Sequence, residues 1–360
     1  MTHPMYHKLR EVLDTLPNGF PATESGVELR ILEWIFTPEE AELFCDLRLT
    51  FESADQIAKR TGRPLEGLEK MLFTMWDKGQ IFGIDYHGFR IFRMAPWVFG
   101  IFEFQRKRMT REFAQLCKDY EETYGRQFFE TQPPLMKIVP IEEEIPSDQM
   151  SMPYEQVSAI IEAGQSFAVA DCICKKEHEL LDAPCTKPVE VCLSIAPVPG
   201  FFENHPMELR PIDKEEAYAI LKKSEKAGLV HMTNNFAKGH YYICNCCSCC
   251  CGVLRSITEH GIRNAVSTNF FALIDAESCI DCGICQKKRC PVAAITKTED
   301  AYHVNPDLCI GCGLCVSTCP SRSITLKRRP ESAIVEPPEN EADWYRQRAT
   351  MRGVDYSRFA

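Results

Sequence analysis

Cys279-Ile-Asp-Cys282-Gly-Ile-Cys285, trailed by Cys290-Pro291, and Cys309-Ile-Gly-Cys312-Gly-Leu-Cys315, trailed by Cys319-Pro320, decide how the C-terminal part of this chain folds. Three cysteines at C-x2-C-x2-C spacing wrap one face of an iron–sulfide cubane, because two intervening residues let a tight loop present successive sulfurs while its amides turn inward. Gly283, Gly311 and Gly313 permit positive φ and close amide approach to sulfide. Pro291 and Pro320 fix φ and turn the chain after each trailing cysteine. Ile280, Ile284, Ile310, Leu314, Val292, Ile295 and Ile324 are expected to shield the sites. The two runs differ: four residues, Gln-Lys-Lys-Arg, separate Cys285 from Cys290, against three between Cys315 and Cys319. The extra residue enlarges one loop without costing a ligand. Zinc requires paired C-x2-C hooks rather than two triads with trailing Cys-Pro.

This pattern resembles the bacterial two-[4Fe–4S] ferredoxin domain. The resemblance implies crossed ligation: Cys279, Cys282, Cys285 and Cys319 hold one cluster, and Cys309, Cys312, Cys315 and Cys290 the other.

The chain has 360 residues, enough for several domains, and a net charge of −10, which argues against sequence-independent affinity for nucleic acid or anionic membrane. Its 20 cysteines are clustered at metal-ligand spacings, unlike a disulfide scaffold. The start, Met-Thr-His-Pro-Met-Tyr-His-Lys, lacks a signal peptide's apolar stretch, and no run reaches membrane-span length, so a cytoplasmic, reducing and anaerobic setting is expected.

The expected fold class is α+β and multidomain. Residues 1–131 read as a helical and winged-helix-like domain, with the winged helix over about 27–95. Thr37-Pro38-Glu39-Glu40 starts one helix, Ser53 to Gly62 forms another, Pro64 to Lys78 carries apolar residues at helical spacing, and 81–92 reads as a two-stranded wing. Residues 98–130 read as a further helix. The would-be DNA-reading helix carries Glu66, Glu69 and Asp77 against Lys70 and Lys78, so a protein-contact or scaffold role is favoured; Lys59, Arg60 and Arg63 keep DNA binding as the alternative. Residues 132–153 read as a Pro- and acid-rich linker. A Cys-rich metal-binding domain follows over 154–270, with strands at 166–171, 229–233 and 240–243 and a helix from Asp213 to Ala227. The ferredoxin domain spans 271–329. A tail, 330–360, is expected to dock one helix through Trp344 and Tyr345.

Cys172, Cys174, Cys185 and Cys192 suffice for one four-thiolate site, and Cys244, Cys246, Cys247, Cys249, Cys250 and Cys251 supply more thiolates than one cubane needs. Packing alone would scatter such residues, and exposed free thiols would oxidise. One or two further iron–sulfur clusters are expected here, with zinc as the alternative. The two groups should converge if the strands leading into Cys172 and Cys244 are neighbours in one sheet. The whole chain resembles a family from anaerobic microbes that joins a winged-helix-like N-terminus, a Cys-x-Cys plus Cys-Asn-Cys-Cys-x-Cys-Cys-Cys middle and a C-terminal dicluster ferredoxin domain.

The resulting expectation is an electron carrier, or the electron-transfer part of a redox complex, more than a stand-alone enzyme. It would have redox protein partners and bind no nucleic acid. The alternatives are a redox-responsive winged-helix regulator and a reductase with an open-iron cluster in the middle domain. No dinucleotide or P-loop signature stands out.

Overall fold

The computed structural model describes residues 2–203, 205–299 and 301–360. The first part is helical because its sequence supplies apolar stripes between strong caps. Thr37 with Glu40 and Ser53 with Gln56 each form a reciprocal capping box, starting helices Pro38–Phe44 and Ala54–Thr61. Gly62, at φ 75°, stops the second. Helix Leu68–Asp77 follows, then the antiparallel hairpin Ile81–Tyr86/Phe89–Met94, which turns at His87-Gly88.

The helix expected over 98–130 starts later. Val98, Phe99 and Gly100 leave helical space, and the regular helix runs Arg111–Glu130 behind a Thr110 cap. The aromatic-apolar density of 97–104 serves instead to wall an internal space.

The middle of the chain forms a seven-stranded sheet in the order Arg210–Ile212, Ser166–Asp171, Glu190–Ala196, Tyr242–Cys246, Val230–Asn234, Met136–Ile138, Val266–Ser267. All neighbours are antiparallel except the last pair. Met136–Ile138 comes from the Pro-rich stretch read as a linker, so that stretch is partly sheet. The chain continues into Cys244 and Cys246 as strand, where the sequence suggested that strand would stop at 243. Helix Lys214–Lys226, capped by Asp213, covers one face. On that side Asn245 ties the centre together: its amide donates to the Val191 carbonyl at 2.6 Å, and its Oδ1 lies 2.5 Å from His231 Nδ1. The other face meets helix Arg111–Glu130, onto which helix Gly252–Thr258 is fastened by Arg255 Nη1, 3.0 Å from both Glu121 oxygens.

The C-terminal part pairs Phe270–Ile274 with Ile324–Arg328, and Ile295–Lys297 with Tyr302–Val304, as two small antiparallel ribbons. The tail then crosses back. Helix Glu341–Arg352, capped by Asn340, buries Trp344 and Tyr345 as the sequence suggested. Arg348 has no exposure and donates to the carbonyls of Pro17, Phe128, Thr131 and Pro133. It thereby satisfies the end of helix Arg111–Glu130, where a cation suits the dipole.

Replacing Arg348 with Met should strand those carbonyls and lower stability by about 3 kcal/mol. Urea unfolding followed by tryptophan fluorescence should show the lowered midpoint; an unchanged midpoint would mean that the tail contributes nothing to the core.

Candidate metal centres and a neighbouring cavity

Sheet register gathers the first set of cysteines. Ala170 pairs with Cys192, and Leu193 with Ile243, so Cys172, Cys192, Cys244 and Cys246 collect at one end of adjacent antiparallel strands. Strand alternation turns Tyr242, Cys244 and Cys246 to one face and Ile243 and Asn245 to the other. Cys172 and Cys251 occupy the N-cap positions of helices Ile173–Leu180 and Gly252–Thr258. The result is a row in which each sulfur reaches the next: Cys174, Cys172, Cys192, Cys244, Cys246, Cys251.

Protons along this row are shared unevenly. Cys172 is held well below the usual thiol range because Cys174 and Cys192 donate to it, with help from the Lys175 charge. The other five are pushed well up, each because it donates to a neighbouring sulfur, with burial adding to the effect.

A second set joins the two halves of the sequence pattern differently from the first-group quartet. Cys185, Cys247, Cys249 and Cys250 lie with their sulfurs within 4.8 Å of one another. Cys185 Sγ is 3.7 Å from Cys247 Sγ and 3.5 Å from Cys249 Sγ. Cys247 is held down to about 5 as Cys250 donates to it. Cys185 therefore leaves Cys172, Cys174 and Cys192 and sits with the later run. Lys175 acts on both sets: it is 2% exposed, donates to the Pro188 carbonyl, and its charge favours the thiolates of Cys172 and Cys247. Its position directly after Cys-x-Cys was its only sequence signal.

Beside the row lies a cavity of about 420 Å³, with all six of these sulfur-bearing residues in its wall. Trp97, Phe99, Tyr124 and Tyr242 supply aromatic surface, while Glu103, Arg106 and Glu177 supply charge-bearing groups. Burial pushes the carboxyls of Glu103 and Glu177 up to about 8. None of these residues carried a local sequence signal, because the wall is assembled from segments far apart in the chain.

The C-terminal cysteines line two small hollows. One is bordered by Cys279, Cys282, Cys285 and Cys319, the other by Cys290, Cys309, Cys312 and Cys315. The second is the better covered, with Ile310, Leu314, Val292 and Ile295 buried around it. Ile280, expected to shield the first, is instead 61% exposed. Amides point at sulfur: Ala272 N–H donates to Cys309 Sγ at 3.3 Å and Ala294 N–H to Cys290 Sγ at 3.1 Å.

The extra residue of the first run also finds a use. Cys290 N–H reaches back to the Cys285 carbonyl, a wide turn that frees Arg289. Arg289 donates to the Leu314 carbonyl at 3.0 Å, to Glu225 O at 3.0 Å and to Lys226 O at 3.2 Å. It joins both cysteine loops to the C-terminal end of helix Lys214–Lys226, where a cation is favoured.

Residues 272–326 match the family described as 4Fe-4S dicluster domain. The pyruvate synthase subunit PorD of Methanocaldococcus jannaschii is 33% identical over 72 residues, covering 19% of this chain and 83% of that protein. A 7Fe ferredoxin of Hydrogenibacillus schlegelii is 49% identical over 35 residues, 10% of this chain and 45% of its own length. One component of the ion-translocating oxidoreductase complex of Methanosarcina acetivorans is 41% identical over 49 residues, 14% of this chain and 18% of its own. The chain thus spans less than half of the last two relatives.

Arg289→Met should loosen this joint while leaving the cysteines in place. Hydrogen exchange at the amides of 227–229 should accelerate by about tenfold, read by mass spectrometry. Unchanged protection there would remove Arg289 from the joint.

Proposed function

Because the chain belongs, through residues 272–326, to the 4Fe-4S dicluster family, we propose that it relays single electrons through two [4Fe–4S] clusters with crossed fourth ligands and through further metal centres in the middle sheet. The observation that carries this reading is the pair of hollows, each bordered by one triad and the trailing cysteine of the other run. A [4Fe–4S] cluster supplies one-electron redox chemistry. The chain's own residues hold, cover and tune it: amide donation to Cys309 and Cys290, and the hydroxyls of Ser321 and Ser323 beside Cys319, are levers on potential.

Exposure suggests a direction. Cys282 and Ile280 lie at the surface, so the hollow they border is the one a redox partner would meet. Cys312 and Cys315 are buried, and the Cys312 carbonyl accepts from Ile141 N–H at 3.2 Å, against the middle of the chain. In the sheet, the quartet Cys185, Cys247, Cys249 and Cys250 suits one four-thiolate centre, and the row of six suits an iron–sulfur centre. Lys175 offsets the negative charge of both. The pyruvate synthase and ion-translocating oxidoreductase relatives are named as parts of redox complexes, which supports a complex-bound role here. Among the described residues, no helix is long and apolar enough to cross a membrane.

The regulator alternative draws no support from the helical part. Lys59 pairs with Asp55 at 2.7 Å, Arg60 with Glu52, and Arg63 with Asp46 at 2.6 Å. The cations that could have met phosphate are already engaged, which favours a scaffold role.

Anaerobic purification with iron and sulfide analysis, then EPR after reduction, tests the proposal. More than about eight irons per chain is expected, since two cubanes account for about eight. A chain with no cluster signal would overturn it. Cys290→Ala should disturb the signal of the cluster assigned to Cys309, Cys312 and Cys315, and Cys319→Ala the other. Cys185→Ser should remove only the quartet's metal. If each alanine variant disturbed its own sequence run instead, the crossing would be wrong.

A further inference from the structure

The cavity beside the six-sulfur row contains polar groups that the protein leaves unsatisfied. Arg106 is 9% exposed. Among the described residues its side chain makes one hydrogen bond, from Nη1 to the Glu103 carbonyl at 3.0 Å; its Nε has no partner, and no carboxylate lies within ion-pair distance. Other buried arginines have fuller sets of partners, although the Nε atoms of Arg93 and Arg328 are likewise unpaired. Arg348 is held by four carbonyls, Arg255 by Glu121 and Glu259, and Arg93 by Glu341. The hydroxyls of Tyr124 and Tyr242, 5% and 8% exposed, likewise have no partner. A buried donor without an acceptor loses its hydration with no compensating bond, and the loss is larger when the donor is charged. Three such groups bordering one cavity mark a place where a ligand completes the bonding.

The walls define the rest of that ligand. Phe99 stacks on Tyr242 with centroids 4.8 Å apart and planes 13° from parallel, and Trp97 stands nearby in the same wall. Such faces favour a flat aromatic body in offset or edge-on contact. Charge fixes the polar end. Arg93, the other guanidinium of the wall, is paired with Glu341, so Arg106 alone is left to meet an anion; it matches a single negative charge, whereas a dianion such as a phosphate monoester would bury a second charge with no counter-ion. A neutral hydrocarbon would leave Arg106 and both phenols unpaired.

We propose that this cavity binds a planar aromatic monocarboxylate, with its carboxylate on Arg106, its remaining oxygen lone pairs toward the Tyr124 and Tyr242 hydroxyls, and its ring against the aromatic wall next to the cysteine row. Glu103 does not pre-empt the site: burial keeps its carboxyl up to about 8, so it is mostly neutral near pH 7, and its side chain accepts from Gly100 N–H at 2.7 Å. The proposal goes beyond the electron-transfer reading and rests on the cavity alone.

The test is calorimetric titration of the full chain, purified anaerobically, with 2-naphthoate and its uncharged isostere 2-naphthamide. Naphthoate should bind saturably, about one per chain. Arg106→Met should weaken naphthoate by about tenfold or more and naphthamide by less than about twofold, with Arg106→Lys restoring part of the loss. Tyr242→Phe keeps the stacked ring and should weaken naphthoate about threefold to tenfold; it decides the matter if Arg106→Met does not fold. Absent saturable binding, equal losses for both ligands, or an unchanged Tyr242→Phe affinity would overturn the proposal. Iron content and reduced-state EPR are recorded on the same samples. Intact signals with failed binding reject the cavity assignment alone; missing signals reject the electron-transfer reading.

Discussion

Ten thiols gathered into two close sets by one sheet end, two helix starts and the loops beside them are the constraint on which the middle of this protein depends. A thiol is a weak donor and a weak acceptor, so sulfur-to-sulfur contacts repay little of the desolvation they require. The strain is visible in how the protons divide. Cys172 and Cys247 are held low by donating sulfurs, and those donors are pushed up in turn. Binding a metal cation removes the conflict by deprotonating the donors and placing positive charge among them. Lys175 can offset only part of that charge, because one ammonium serves both sets. Under the proposed reading, folding of the sheet end and loading of its centres would be linked events.

Local rules made much of the architecture readable. The two capping boxes, the stop at Gly62, the Asp213 cap and the C-x2-C-x2-C loops each depend on residues within a few positions of one another. The sorting of the middle cysteines does not. It follows from the Ala170–Cys192 and Leu193–Ile243 registers: a strand that was not anticipated, Glu190–Ala196, lies between the strands leading into Cys172 and Cys244, so those two share a sheet without being neighbours. Its Val-Cys-Leu-Ser-Ile alternation was present in the sequence but was overshadowed by the ligand pattern. Cys185 is carried by the loop before that strand, which is free to cross to the later run. The cavity was less legible still, since Arg106, Tyr124, Phe99 and Tyr242 share no local pattern.

The extra residue in the first cysteine run shows how a departure from a pattern can have a structural purpose. In a free-standing ferredoxin fold, both loops need only close around their clusters. Here Arg289 extends from the lengthened loop to the last carbonyls of helix Lys214–Lys226 and to Leu314 of the opposite loop. One guanidinium therefore fixes the spacing between the two cysteine loops and their orientation on the sheet. Electron transfer rates depend steeply on such spacing, so a rigid joint matters more here than an added contact elsewhere would.

The helical N-terminal part is best understood through the same logic of engaged and unengaged charge. Its surface cations are tied to carboxylates on neighbouring elements, as in Arg60–Glu52, Arg63–Asp46, Lys78–Glu40 and Arg90–Asp85. Those pairs contribute little stability individually, but together they leave few cations free to meet a polyanion. Arg93 faces inward and holds the tail helix through Glu341, and Arg348 on that helix closes the carbonyl end of Arg111–Glu130. The tail thus clasps the helical part against the sheet face that carries Tyr242, Cys244 and Cys246. Within this clasped region Arg106 differs from Arg348: it is a buried cation, in a wall built by the helical part, whose side chain makes one carbonyl contact among the described residues rather than four. A guanidinium with a single carbonyl partner, in the wall of the cavity that the six cysteines also line, is the group that the proposed ligand would complete.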